Sequence, residues 1–544
     1  MTLWFAPEEF TDEERRLLEP YFTNLDGPVF ALVNLPEVTK GALFARYSRS
    51  AKSLRRLFLD EFREHAEEGA DRLAEVGVGR AEQLYERVFL EFGDDSVAQL
   101  GGVHLACEHS SQLLAKVLEW GRLMAYLEQS TRYVPYDDRP GERWRYAVPP
   151  EVDAAGLGER FTEVCDRAFE TYARWLDPLQ ELYRGAFPKD PADSDFLYRS
   201  TIRAKALDTL RGLLPAATRT NVGIYGTGQS YEQLLLRMRA HPLEEVRFYS
   251  DLMLAELRKV IPAFLRRVDL PDRGTRWSGY LAETREDTAR VAAELLEGAE
   301  PEPRPDVVLT DFDPEGELKV TAAALYGSTV LPDDQLLEAA RRMSADERAR
   351  ILVAYIGERE NRRHKPGRAF ERTGYRFDVL CDYGAFRDLQ RHRLLTIEWQ
   401  ALSPAYGYEM PAEVEAAGAL PDWVRTMEES ASLNEELRAA GLGPVAQYAV
   451  SMAYRIRFVM QMNAREAMHL IELRSTPQGH PVYRRVAQEM HRLIEEEAGH
   501  AAIAEAMRYA DHSSVGLERL EAERRTDARR RAAEAAASQR GEAG

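Results

Sequence analysis

A chain of 544 residues, 44% hydrophobic and 9% aromatic, has material for two cores of about 200 residues or more each, which excludes the disordered class. A formal net charge of −19 excludes broad binding to nucleic acid or to anionic membranes, while leaving room for a local cationic grip on a phosphate. Eight of the 72 basic residues are Lys, so Arg is abundant and any single Arg carries little information.

The amino end is acidic and lacks a hydrophobic signal core, and no apolar run approaches the roughly 20 residues of a membrane span. Residues 11–130 read as mostly helical, with apolar residues at three-to-four spacing over Leu43 to Phe62 and Ser96 to Met124. The helical reading continues over 150–265, broken at Leu213-Leu214-Pro215. Polar residues with Pro271, Gly274, Pro301, Pro303 and Pro305 mark a linker over 271–305. Strands are expected at Val307 to Leu309, at Leu318 to Thr321 after a Pro-Glu-Gly turn, and at Tyr375 to Leu380. Helices resume over 434–510, and an Arg-, Glu- and Ala-rich tail occupies 516–544. The domains expected are therefore 1–270 and 306–515. Each carries a late helix with a Leu-Arg close, Leu234 to Arg237 and Leu470 to Arg474, as a duplicated fold would. Cys107, Cys165 and Cys381 have no metal-ligand spacing, and as an odd set of thiols they fit a reducing, cytoplasmic compartment. His104, His109, His491 and His500 lie outside any metal motif, so no metal is expected.

Three segments could carry chemistry. In Glu128-Gln-Ser130-Thr-Arg132-Tyr, an extended backbone puts an acceptor, a hydroxyl and a guanidinium on one side, a set able to hold a small anionic ligand. An ordinary loop with a surface ion pair uses the same residues. Arg391-His392-Arg393, followed by Thr396, suits a diphosphate or an electron-rich ring. Asn463, Arg465, His469 and Arg474 share one helix, and Asn463 and Arg474 lie about three turns, roughly 16 Å, apart on one face. A solvated helix face is the plainer alternative. There is no Gly-rich phosphate loop and no dinucleotide fingerprint.

Together these segments resemble the flavin-dependent thymidylate synthases, whose signature is Arg-His-Arg-x-x-Ser followed by Glu-x-Ser-x-Arg-Tyr. The second half carries Arg391-His392-Arg393-x-x-Thr396 and has Trp399, Ala401, Ser403 and Pro404 at the later positions. The first half carries Glu128-x-Ser130-x-Arg132-Tyr133 and has Trp120-Gly121-Arg122 upstream. Ala369 through Thr396 and Asn463 through Arg474 are similar to the family's approach to the signature and to its flavin-side helix. Arg211-Gly-Leu-Leu-Pro215 resembles its nucleotide-holding Arg segment, where the second half has Gln447.

The resemblance implies an α+β, helix-rich fold present twice in tandem and packed as a pseudo-dimer. It implies reductive methylation of dUMP to dTMP, with FAD as cofactor and NADPH and methylenetetrahydrofolate as co-substrates, at one composite site using both halves. Glu128, Ser130, Arg132, Arg211, Arg391 and Arg474 would hold the nucleotide, with Arg474 also catalytic at the uracil. Arg391, His392, Arg393, Thr396, Asn463, Arg465 and His469 would line the flavin. The family's four-domain assembly implies a homodimer of this fused chain. The chain departs from the pattern at His469 for Asn, Arg372 for His, Asp388 for Gln and Thr396 for Ser. Other readings are a flavoenzyme acting on another nucleotide, and an inactive nucleotide-binding or scaffold homologue.

Overall fold

The computed structural model describes residues 5, 8–35, 47, 50–66, 102–191 and 193–513. The expectations for 43–46 and 96–101 and for the 516–544 tail lie outside the described residues. The chain divides into two compact units that interleave in sequence. Unit 1 comprises Met1–Arg174, Leu213–Pro301 and Leu420–Ser451, and unit 2 comprises Trp175–Gly212, Glu302–Ala419 and Met452–Gly544.

Unit 1 is built on a four-stranded antiparallel sheet of β1 (Val29–Leu32), β2 (Gly102–Ser111), β3 (Met124–Glu128) and β4 (Arg219–Thr227), in the order β1-β2-β4-β3. Its register runs through Leu105 opposite Ile224 and Tyr126 opposite Ile224. Side chains on both faces of β2 are buried, including Glu108, whose carboxylate sits 3.1 Å from the equally buried Arg55. Helix Glu244–Leu257 supplies Glu245, which accepts hydrogen bonds of 2.6 Å from Ser111 Oγ and from Tyr448 Oη. Helix Leu420–Ala439, from the far end of the sequence, buries Trp423, Met427, Leu433 and Leu437 in this unit. Arg160 and Arg167 pair with its Glu436 and Glu429 at 3.2 and 2.9 Å.

Unit 2 repeats the sheet with β5 (Val307–Phe312), β6 (Gly374–Asp382), β7 (Leu395–Trp399) and β8 (Arg455–Asn463), in the order β5-β6-β8-β7. The first, second, fourth and third strands are adjacent in both sheets, which is the topology of a tandem α+β duplication. The strand-to-helix junctions repeat as well. Ser111, Thr227, Asp382 and Asn463 each end a strand or begin its successor helix as an N-cap, accepting from the third residue of that helix. Packed against the second sheet are helices Ala464–Arg474 and Pro481–Glu496, with Phe377, Val379, Phe386 and Met460 wholly buried. Helix Asp195–Leu210, from the first half of the sequence, also belongs to this unit, where Lys205 approaches Glu413 at 3.6 Å. Among the described residues no helix is long and apolar enough to cross a membrane.

Several local expectations are corrected. The segment from Gly102 to Glu128 is strand, short helix and strand, because β2 is buried on both faces and so lacks the alternation that betrays a strand. β4, buried on both faces, and β8, whose burial alternates along the strand, also interrupt stretches read as helical, although Leu234 to Arg237 and Leu470 to Arg474 do fall on equivalent helices, Gly228–Arg239 and Ala464–Arg474. Leu318 to Thr321 lies in helix Gly316–Tyr326, where packing against Leu336 and Ala340 outweighs the β propensity of Val320 and Thr321. The stretch 271–305, read as linker, carries the 22-residue helix Gly274–Leu295. The strands at Val307 to Leu309 and Tyr375 to Leu380 are present as β5 and β6.

Candidate active site

The residues that could do chemistry in unit 2 gather where β6 and β8 hand over to their helices. Asp382 caps helix Tyr383–Leu389 by accepting from Ala385 N at 3.0 Å, and the chain then turns through Asp388, Arg391 and His392 into β7. Asn463 caps helix Ala464–Arg474 by accepting from Glu466 N at 2.9 Å, which sends Glu466, His469 and Arg474 along that helix.

His392 is the centre of the arrangement. Arg474 Nε donates to His392 Nε2 at 3.0 Å, and His392 Nδ1 lies 3.0 Å from Glu466 Oε1. Since Nε2 accepts, the network assigns the proton to Nδ1, which donates to Glu466. Burial, followed by the charges of Arg474, Lys365 and Arg391, pushes the His392 pKa well below its ordinary value, so the ring is neutral at physiological pH. His469 packs edge-on at 5.3 Å between centroids, and burial lowers it to about 4. Burial also raises Glu466.

A second hub is the carboxylate of Asp388. Arg391 Nη2 reaches it at 2.9 Å, Arg211 Nη1 at 3.6 Å and Arg474 Nη1 at 3.9 Å. Arg211 belongs to the first half of the sequence but to unit 2 of the structure. It is buried, and its Nε and Nη2 make no hydrogen bond among the described residues. The Asp382 Oδ2 is likewise buried without a hydrogen bond. Burial raises the Asp382 carboxyl to about 7 against the opposing pull of Arg211.

That shift has a testable sign. The folded protein holds this proton up to pH about 7, whereas the unfolded chain releases it near 3.8. The folded state therefore binds more protons in between, and this group's contribution to stability declines as pH rises from about 4 to about 7. Asp382→Asn, which keeps the capping oxygen, should remove that decline. Thermal unfolding midpoints compared at pH 5 and pH 8 should differ less in the variant, and equal differences in both proteins would refute the assignment.

His392, Glu466 and His469 each bring a potential ligand atom within 4.8 Å of the others. Both nitrogens of His392 are engaged, however, and Arg391 and Arg474 flank it, a setting that repels a cation and attracts an anion. The remaining expected residues are more spread out. Arg393 is exposed, and Thr396 lies on β7 opposite Gln461. Arg465 donates to the Pro366 carbonyl at 3.0 Å and approaches Glu371 at 3.6 Å.

Glu128, Ser130 and Arg132 lie in unit 1. The backbone there is not extended throughout. β3 ends at Glu128 and the backbone turns, with Tyr133 and Val134 N–H groups donating to the Ser130 carbonyl at 3.1 and 3.0 Å. Glu128 is buried against Lys116 Nζ at 3.2 Å, and Ser130 Oγ accepts from Arg132 N at 3.2 Å. Glu466, Asp382 and Tyr483, whose ring lies 5.5 Å from the Arg474 guanidinium, were not singled out by sequence. The position of Glu466 three residues after the cap Asn463 was the available signal.

A family model described as thymidylate synthase complementing protein matches residues 41–263 and 307–499. The chain belongs to that family. A UPF0159 protein of Chlamydia muridarum is 39% identical over 96% of this chain and 99% of its own length. A UPF0159 protein of Thermoplasma acidophilum is 30% identical over 89% of this chain and 98% of its own. A flavin-dependent thymidylate synthase of Clostridium tetani is 25% identical over 36% of this chain and 72% of its own. Asp388, Arg391, His392 and Arg474 fall in the second matched segment, and Arg211 in the first.

Proposed function

We propose that this chain is a flavin-dependent, thymidylate synthase-type enzyme that reductively methylates dUMP to dTMP, with methylenetetrahydrofolate as one-carbon donor and NADPH as reductant. The observation that carries the reading is the linked set His392–Arg474–Asp388–Arg211, drawn from both matched segments into one unit. Its donor chemistry fits the ligands. Arg211, whose Nε faces Asp208 at 3.5 Å, offers its buried Nη2 to a nucleotide, and Arg391, Arg393 and Arg465 offer guanidiniums to a diphosphate. FAD, held by Arg391, His392, Arg393, Thr396, Asn463, Arg465 and His469, would supply the redox capacity of the reaction.

The chain's own residues do the rest. Arg474, held in place by His392 Nε2, faces the uracil and stabilises negative charge developing at N3. Glu466 keeps the proton on His392 Nδ1, which leaves Nε2 free to orient Arg474. Glu128, Ser130 and Arg132 are assigned to the nucleotide from the motif alone. Asp388 favours a second reading, a different nucleotide, because a carboxylate among three guanidiniums neutralises charge that a phosphate would otherwise meet.

The test is the visible spectrum of the purified protein during titration with dUMP. A bound flavin whose absorbance shifts saturably with dUMP is the expected result. Flavin that responds only to another nucleotide selects the second reading. Protein that takes up no flavin when FAD is supplied refutes both.

A further inference from the structure

Helix Pro481–Glu496 carries Arg484, Gln488, His491 and Glu495 at spacings of four, three and four, which puts all four on one face. That face grips the segment 511–513. Arg484, itself 1% exposed, donates from Nη2 to Asp511 Oδ1 and to the Ser513 carbonyl, both at 3.2 Å. Gln488 Nε2 donates to the Asp511 carbonyl at 2.9 Å and reaches that of Ser513 at 3.4 Å. His512 is thus held by the backbone on either side of it, and its ring is set against the next residue of the face, His491.

The two rings meet through nitrogen. His512 Nε2 lies 2.9 Å from His491 Nδ1, with 5.0 Å between ring centroids. A third partner fixes the His491 tautomer. Its Nε2 is 3.0 Å from the Ala504 carbonyl, which can only accept, so the proton is on Nε2 and the Nδ1 lone pair faces His512. An imidazole whose far N–H is held on a backbone carbonyl has the orientation and tautomer of a metal ligand. Two imidazole nitrogens on one tetrahedral ion, each bonded at about 2.1 Å, stand about 3.4 Å apart, so the rings need separate by only about half an ångström. The surrounding charge suits a cation. Asp511 and Glu495 both act electrostatically on His512. Glu495 is exposed one turn beyond His491, and Arg492 pairs with Glu489 and Glu496, not with it. The rings stand 21 residues apart in the chain, outside the short spacings by which a metal motif is read from sequence.

We propose that His491 Nδ1, His512 Nε2 and the Glu495 carboxylate form a site for a divalent transition-metal ion of the zinc type, which clips segment 511–513 to helix Pro481–Glu496. The ion takes the place of the hydrogen shared by the two rings, and His512 carries its proton on Nδ1, so no proton leaves the pair. Water completes the coordination. The site is independent of the catalytic reading above.

The experiment is calorimetric titration of the full-length, chelator-treated protein with zinc chloride at neutral pH, with circular dichroism as the check on folding. The wild type should take up a single equivalent with micromolar affinity or better. His491→Ala and His512→Ala should each weaken uptake by about 100-fold or more, and Glu495→Gln by about tenfold. His512 is exposed, so H512A should fold as the wild type does. Zinc should also raise the unfolding midpoint of the wild type by several degrees and leave that of H512A unchanged. A wild type that takes up no zinc overturns the proposal, as does uptake that H512A leaves intact. An equivalent lost in His469→Ala and kept in H512A puts the ion in the His392–Glu466–His469 cluster and overturns it too. Unchanged affinity in E495Q overturns the three-ligand site.

Discussion

Arg474→Ala should cut turnover of the flavin-loaded protein by about 100-fold or more while flavin stays bound, the loss typical of removing one preorganised donor from a developing negative charge. Arg474 touches the site through two contacts, His392 Nε2 at 3.0 Å and Asp388 at 3.9 Å, and its guanidinium rests over the Tyr483 ring. None of these is a core-packing role, so the fold should survive. The same substitution carries a second readout. Arg474 is the foremost charge holding the His392 pKa down, and its Nε–H occupies the nitrogen that would take up a proton. Without it the His392 titration should move upward, visible in the ring resonances by NMR. Full turnover in R474A would remove the residue from the chemistry, and an unmoved His392 would contradict the hydrogen-bond assignment.

The largest stability effect is expected two residues earlier on the same helix. Glu472 receives Arg359 Nη1 and Nη2 at 2.7 and 2.6 Å, and both side chains are about 1% exposed. Arg359 Nη1 also donates to the Ala506 carbonyl at 2.6 Å, so the pair ties three parts of unit 2 together. Glu472→Ala leaves a buried guanidinium with no counter-charge, a change that costs about 3–5 kcal/mol. For a unit of this size the unfolding midpoint should fall by about 10 °C. A fall of only a degree or two in a calorimetric scan would mean that water replaces the carboxylate, and that the pair is a specificity device and not a structural one.

How much of this was legible beforehand depended on which physical signal each element emits. The fold class and the duplication were readable from paired late helices and from motif remnants. The helices at Gly228 and Ala464 announce themselves with capping residues and Leu-rich faces. Strands β2 and β4 do not, because polar residues such as His104, Glu108, Thr220 and Asn221 are buried on them along with the apolar ones, so neither shows a clean two-residue alternation. In the site, Arg391, His392 and Arg474 were named from motifs, and the structure brings them together through His392 and Asp388. Asp382 and Glu466 were not, since a lone acidic residue in a chain with 91 of them carries no signal until its burial and its partner are known. Thr396 and Arg393 could be read for residue type but not for place. The stretch 271–305 was legible as a segment between the two repeats, but not as a helix. Helix Gly274–Leu295 has few buried residues, so its polar composition hides the helical periodicity.

The interleaving of the two units has a consequence for how the protein is made. Unit 1 is incomplete until residue 451 exists, because helix Leu420–Ala439 fills part of its core with Trp423, Met427, Leu433 and Leu437. At about 5–20 residues per second, translation leaves the rest of that unit waiting on the order of ten seconds after Pro301 has been added. The nascent chain must carry an open apolar groove through that interval. A gene cut at the apparent linker would therefore yield two polypeptides that each need the other in order to fold.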